Sequence, residues 1–310
     1  MRDRVGVVGL GHMGGALAER LLTLVDEVHV YDVREAAMAP LVEQGAVAAS
    51  CVSGLANEVD VLIAALPTGR ISAEVAAEAA SSSRLAVYVE TSTIGPSAIR
   101  AIADSLGGVA VIDAPLSGGP RGIRAGTVAS YVSGSADARA RIAGWFEQIC
   151  GTRTVLGDEI GAAQVAKLVN NAISLSGMVI ASEAIAVGVA AGLDPKTLVS
   201  AVNAGTGRNS ATESKIPASV LTGRFDFGGP IALAEKDLEL YLSMAADAGV
   251  TASTVEAALE SFREAILRFG SAADYTEIAR IFESAVGAEI RHRPAPVAQD
   301  AGGWRSETLD

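Results

Sequence analysis

Gly9, Gly11 and Gly14, with Leu10, His12 and Met13 between them, set out the spacing G-x-G-x-x-G directly behind an apolar run at residues 5–8. A turn of this kind can hold a pyrophosphate. Its first glycine permits the tight bend, its second lets backbone approach the phosphates, and its third lets the following helix pack on the strand. Unpaired N–H groups and the dipole at that helix's start favour negative charge. A second apolar run, residues 27–31, ends at Asp32. That lies close to the roughly 20-residue offset at which a carboxylate meets an adenosine ribose, so the pattern points to dinucleotide binding. Asp32 favours the cofactor with a free ribose 2′-hydroxyl, which is NAD. Arg34, two residues on, keeps NADP possible.

Further along, Asp113-Ala114-Pro115-Leu116-Ser117-Gly118-Gly119-Pro120 places two glycines after a serine. Successive backbone N–H groups there could point at an anion with the hydroxyl as a further donor, although a loop needing positive φ would read the same way. In the run 161–171, Lys167 and Asn171 stand at i and i+4, with Ser174 at i+7, on one face of a predicted helix that is otherwise largely apolar. Such a polar stripe costs stability unless its groups find partners, and a solvated face would carry more charge. Glu235-Lys236-Asp237-Leu238 reads equally as a surface charge cluster or as a lysine reaching a cleft. Leu66-Pro67-Thr68 and Thr91-Ser92-Thr93-Ile94-Gly95-Pro96 follow predicted strands at the edge where open α/β sheets bind ligands. The hydroxyls of the second segment could instead cap a helix opening at Pro96.

The elements that must position these residues fall into two kinds. Up to about residue 157, short β-branched runs alternate with Ala-rich helical stretches, the pattern of a doubly wound parallel sheet. Strands are expected near 5–8, 28–31, 61–66, 86–90, 109–113, 129–132 and 152–156, with helices over 13–24, 34–44, 72–80, 96–106 and 137–148. Beyond 157 the text is helical, with one long helix over 161–191 and shorter ones over 195–202, 211–221, 233–248, 255–269 and 275–287. At 1.5 Å per residue the long helix would reach roughly 45 Å, enough to leave one domain and form the spine of another. The expected division is 1–160, 161–290 and a mobile tail over 291–310, in which Trp304 could dock on a neighbour.

Composition narrows the partners. A chain of 310 residues, half of them apolar and 4% aromatic, suits two compact domains with cores of Ala, Val, Leu and Ile. Its net charge of −12 repels nucleic acid and anionic membrane surfaces, so a small anionic ligand must be held by local donors. Cys51 and Cys150 are far apart, and His12, His29 and His292 are scattered, so no metal site is expected. The apolar stretch 165–193 raises the question of a membrane span, but Lys167, Asn170, Asn171 and Glu183 favour a helix buried in protein. The expected compartment is the cytoplasm.

In this order, the segments 9–14, 113–119, 161–171 and 236–238 resemble the β-hydroxyacid dehydrogenase family, which includes 3-hydroxyisobutyrate dehydrogenase, tartronate semialdehyde reductase and relatives of 6-phosphogluconate dehydrogenase. The resemblance implies a Rossmann-type α/β domain and an all-α domain joined by a long interdomain helix, with the active site between them. It assigns Lys167 as general acid/base, Ser117, Gly118, Gly119 and Asn171 as substrate contacts, and Thr93 and Lys236 as cofactor or pocket contacts. Leu66 and Pro67 would flank the nicotinamide. A small anionic hydroxy acid or aldehyde is the implied substrate, and a homodimer or homotetramer the implied assembly. Ala163 stands where the pattern usually has glycine, and Arg121 and Arg208 hint at a second anionic group on the substrate. An imine reductase is the alternative enzyme, against which the presence of Lys167 weighs. A cofactor-binding scaffold without turnover is the alternative outside catalysis.

Overall fold

The computed structural model describes residues 3–291. Its first half is built on β1 (Val5–Val8), β2 (Val28–Tyr31), β3 (Val47–Ala48), β4 (Val61–Ala64), β5 (Val87–Glu90) and β6 (Ala110–Asp113), in the order β3-β2-β1-β4-β5-β6. All neighbours in this sheet are parallel, with Val5 opposite Val28 on one side and Val61 on the other. Parallel strands covered on both faces need continuous apolar runs, which Val5–Val8 and Val61–Ala64 supply by being buried throughout. Strand order reverses at β1 and β4, so a crevice opens beyond their carboxyl ends, where the Gly9 turn and Leu66 lie.

Helices α1 (His12–Leu21), α2 (Glu35–Glu43), α3 (Val52–Glu58), α4 (Gly69–Ala79) and α5 (Pro96–Ser105) connect these strands. Leu17 and Leu21 pack with Val7 and Val30 in one core, and Leu55, Tyr88 and Ile102 with Leu62 in another. The two-residue β3 and the short α3 escape the sequence pattern because each is too brief to establish a period.

Where the sequence pattern extends one doubly wound unit to residue 157, the structure adds a separate small sheet. Strands β7 (Leu116–Ser117), β8 (Val128–Val132) and β9 (Cys150–Val155) order as β7-β8-β9, with β7 antiparallel and β9 parallel to β8. Helix α6 (Gly119–Ala125) joins β7 to β8, and α7 (Ala136–Ile149) joins β8 to β9. A bridge between Asp113 and Ser133 links this sheet to the end of β6.

Helix α8 (Ala162–Ala190) runs 29 residues without interruption. Around its far part pack α9 (Pro195–Ala204), a π-helix (Ala211–Val220), α10 (Ile231–Asp247), α11 (Ser253–Phe269), a 3₁₀ turn (Tyr275–Ile278) and α12 (Ala279–Val286). Met178, Ile185, Ile216, Leu238 and Phe262 form their common core. By length and composition α8 could cross a membrane, yet it buries Gln164, Lys167 and Ser182 along its length. On its outer side Val169, Ile173, Ile180 and Val187 are exposed. Of the tail expected over 291–310, Arg291 is described and lies 4.0 Å from Glu283; the rest, with Trp304, lies outside the described residues.

Candidate active site

The dinucleotide turn is dictated by packing. Gly9 has φ +85°, and a Cβ there would lie 2.5 Å from the Ala65 carbonyl oxygen. A Cβ at Gly14 would overlap the Gly9 carbonyl, whereas one at Gly11 would meet nothing within 4 Å. Glycine at 9 and 14 thus lets strand and helix close up, and Gly11 leaves the outer face of the turn open to a ligand. The Met13 side chain packs against the core, and exposed His12 stands with Leu10, Gly11, Arg34 and Leu41 around a cavity of about 410 Å³.

Asp32 sits behind this turn, buried, and accepts hydrogen bonds from the Leu10 N–H at 2.7 Å and the Arg34 N–H at 2.9 Å. The Arg34 guanidinium adds an ion pair at 3.1 Å. Burial alone would raise the carboxyl's pKa, but these donors bring it below its ordinary value. The carboxylate therefore stays ionised and holds Arg34. An open-faced glycine turn, a cavity beside it and an ionised carboxylate at the end of β2 fit a nicotinamide dinucleotide.

The loops beyond β4 and β5 are tied together. Leu66 N–H donates to Ser92 Oγ at 2.7 Å, Ser92 N–H to Glu90 Oε1 at 3.0 Å, and Thr91 Oγ1 to the Ala64 carbonyl at 2.7 Å. Thr91 and Ser92 thus brace the strand ends and do not cap α5, whose N-cap is Gly95 at φ +86°. Leu66 is half-buried and Pro67 exposed at the same sheet edge.

The root of α8 is fixed by two buried residues that the motifs did not single out as functional. Asp113, the last residue of β6, accepts from the Gly161 N–H at 3.2 Å, the Gln164 N–H at 3.1 Å and Ser133 Oγ at 3.3 Å. Gln164 donates its side-chain amide to Asp113 Oδ1 at 2.8 Å and to the Ser92 carbonyl at 3.0 Å. Its amide oxygen accepts from the Ile94 and Gly95 N–H groups at 2.9 and 3.0 Å. Both donors and both lone pairs of that side-chain amide are used, which is what full burial demands.

One turn further, Lys167 is buried with 7% of its surface exposed. Burial pulls its pKa from 10.5 to about 8, against the attraction of Asp237 and with the repulsion of Lys236. Asn171 donates its amide to Asp237 Oδ2 at 2.6 Å, Lys236 pairs with Asp237 Oδ1 at 3.0 Å, and the Lys236 ammonium donates to the Thr93 carbonyl. The structure therefore brings Thr93, Lys167, Asn171 and Lys236 together through Asp237. That residue was visible within the Lys236-Asp237-Leu238 run, but its partner lies 66 residues away and no local pattern announces the pairing.

Ser117 ends β7 four residues beyond Asp113, half-buried, and Gly118 and Gly119 follow at φ +133° and +69°. A Cβ at Gly119 would meet nothing within 4 Å, so its backbone is open on that side. The bend thus needs the positive φ values that the loop reading expects. Among the described residues no cluster of His, Cys, Asp and Glu could hold a metal.

Comparison with known proteins gives a consistent result over nearly the whole chain. A family model described as the NAD binding domain of 6-phosphogluconate dehydrogenase matches residues 4–157. A second, described as NAD-binding of NADP-dependent 3-hydroxyisobutyrate dehydrogenase, matches residues 161–282. The chain is 34% identical over 267 residues to 3-hydroxyisobutyrate dehydrogenase of Pseudomonas aeruginosa, covering 82% of this chain and 89% of that protein. It is 32% identical to the NAD-dependent L-serine dehydrogenase of the same organism, covering 92% and 99%. Among solved structures, Mycobacterium tuberculosis 3-hydroxyisobutyrate dehydrogenase with L-serine superposes at a TM-score of 0.83, with 25% identity and coverage of 91% and 99%. A Streptomyces aurantiacus imine reductase superposes at 0.59, with 25% identity and coverage of 90% and 99%.

Proposed function

We propose, because this chain belongs to the β-hydroxyacid dehydrogenase family, that Lys167 is the proton-exchanging group of an NAD(P)-dependent dehydrogenase acting on a small β-hydroxy acid or its semialdehyde. The observation that carries this reading is a buried lysine, placed where α8 meets the loops of the nucleotide sheet, whose ammonium burial makes a stronger acid with a pKa of about 8. The relatives named for 3-hydroxyisobutyrate and L-serine share one substrate skeleton, a hydroxymethyl group on the carbon beside a carboxylate. Imine reduction has likeness of fold in its favour, and the presence of Lys167 weighs against it.

The turn from Gly9 to Gly14, Asp32, Leu66, Pro67 and Thr93 would hold the dinucleotide, which when bound supplies a hydride acceptor or donor. Ser117 and the backbone of Gly118 and Gly119 anchor the substrate carboxylate by hydrogen bonds. Asn171, its amide braced by Asp237, orients the reacting hydroxyl toward Lys167. Neutral Lys167 takes the hydroxyl proton in oxidation; protonated Lys167 gives a proton to the carbonyl oxygen in reduction.

The direction of the pH dependence follows. Below about 8 Lys167 is charged and cannot accept a proton. Oxidation is therefore expected to speed up as pH rises through that value and then level off, while reduction slows over the same interval. Initial rates of the two directions against pH, at saturating cofactor, test this; oxidation that is flat from pH 6 to pH 10 would remove Lys167 from the proton step.

We propose further that copies of the chain associate through the outer side of α8. Val169, Ile173, Ile180 and Val187 fall at helical spacing on one exposed stripe, with Ile173 71% exposed. Burying such a stripe is worth roughly 25 cal/mol per Å². Light scattering on a size-exclusion column is expected to give a dimer or tetramer, and Ile173→Asp with Ile180→Asp to shift it toward monomer; a wild-type monomer rules the assembly out.

A further inference from the structure

Arg121 and Arg208 are the cations that the sequence offers for a second anionic group on the substrate. The structure leaves both exposed, with Arg208 facing Glu213 at 3.6 Å. A different cation is buried instead. Lys215, in the π-helix, has 6% of its surface exposed, and no carboxylate pairs with it among the described residues. Its ammonium donates to Ser174 Oγ at 2.5 Å, the Ser174 carbonyl at 3.3 Å and Ser210 Oγ at 3.2 Å, and lies 5.8 Å from the centre of the Tyr275 ring. Burial alone accounts for its pKa falling to about 8, with no acidic group opposing the fall. At neutral pH the group is thus a buried positive charge surrounded by hydroxyls and an aromatic face.

Its place relative to the reacting end is set by α8. Ser174 shares a helix face with Lys167 and Asn171, and seven residues at 1.5 Å each put it roughly 10 Å along the axis from Lys167. Ser174 is half-buried and Ser210 exposed, so the two hydroxyls that accept from the ammonium are the accessible side of the cluster. Asn209 holds this corner in shape: its side-chain oxygen accepts from the Ala211 and Thr212 N–H groups at 2.8 and 3.2 Å, which secures the start of the π-helix beside Ser210. π-Helical turns are rare and recur at functional sites, because the extra residue per turn redirects a side chain. Here the redirected side chain is a cation facing the polar stripe of the spine helix.

We infer that Lys215, Ser174 and Ser210 form a distal seat for a second carboxylate, so that the substrates of the dehydrogenase proposed above are hydroxy dicarboxylates. One ammonium with two hydroxyls matches the single charge of a carboxylate better than a phosphate ester, which carries about −1.5 to −2 at pH 7. This inference rests on the dehydrogenase reading for its chemistry, but the seat can be tested apart from it.

The experiment compares 2-(hydroxymethyl)glutarate and 2-(hydroxymethyl)adipate with 2-(hydroxymethyl)pentanoate and 2-(hydroxymethyl)hexanoate, which keep each carbon chain and lack the second carboxylate. The wild-type enzyme is expected to favour a dicarboxylate in kcat/KM, Lys215→Met to reduce that preference by about 30-fold or more, and Lys215→Arg to retain most of it. A lysine that only clasps the π-helix to α8 would lower the melting temperature of Lys215→Met with the preference unmoved, and that result overturns the inference. Should none of the four compounds be turned over with NAD or NADP, the dehydrogenase reading is what fails. Calorimetric titration with glutarate and adipate, which have no hydroxyl to oxidise, then decides the seat: at least a tenfold loss of affinity in Lys215→Met supports it, and equal affinity overturns it.

Discussion

Lys167→Ala is expected to lower turnover in both directions by about 10³-fold or more, since general acid–base catalysis by a positioned group is worth 10²–10⁴-fold and no neighbour can replace it. Lys236 is the nearest cation, but its ammonium is committed to Asp237 and to the Thr93 carbonyl. Removing Lys167 also relieves a buried charge, so the variant should fold at least as well as the parent. Cofactor binding should survive, because the glycine turn and Asp32 follow β1 and β2 and do not belong to α8. Fluorescence titration of the variant should return the parent's affinity for NADH, and tighter binding of NADH than NADPH, since Asp32 would repel a ribose 2′-phosphate and holds Arg34 in an ion pair. Turnover within tenfold of the parent would discard the proton-transfer assignment; NADPH binding as tightly as NADH would discard the cofactor preference.

The second large effect belongs to a residue that touches no ligand. Gln164→Leu removes four hydrogen bonds and leaves the Ile94 and Gly95 N–H groups, the Ser92 carbonyl and an Asp113 oxygen without that partner in a dry environment. An unpaired buried donor or acceptor costs about 1–3 kcal/mol, so a loss on the order of 4 kcal/mol is expected in urea unfolding. The folded fraction should also turn over more slowly, because Lys167 stands one turn further along the same helix and inherits any shift of its root. Unfolding within about 1 kcal/mol of the parent would show that the four bonds are replaced by water and that Gln164 does not hold the helix.

Much of the site could be read in the text because its residues obey local rules. The glycine turn is recognisable since Gly14 must admit the Gly9 carbonyl, and the stripe of Lys167, Asn171 and Ser174 since helical spacing alone puts them on one face. The strands of the parallel sheet were legible for the same reason, being buried on both faces and hence apolar throughout. What stayed hidden depends on partners distant in the chain. Asp113 and Gln164 meet across 51 residues, Asn171 and Asp237 across 66, and Ser174 and Lys215 across 41. Nothing in the sequence around Lys215 distinguishes a surface lysine from a buried one. The π-helix was equally hidden, since Ala211–Val220 reads as ordinary helix and differs only in which carbonyl each N–H meets.

With Asp113 and Gln164 binding the long helix to the ends of β5 and β6 inside a dry joint, the two halves of the molecule cannot swing about that point without breaking several buried bonds at once. Lys167, one turn beyond this joint, therefore keeps its place relative to the nucleotide sheet whether or not a ligand is bound.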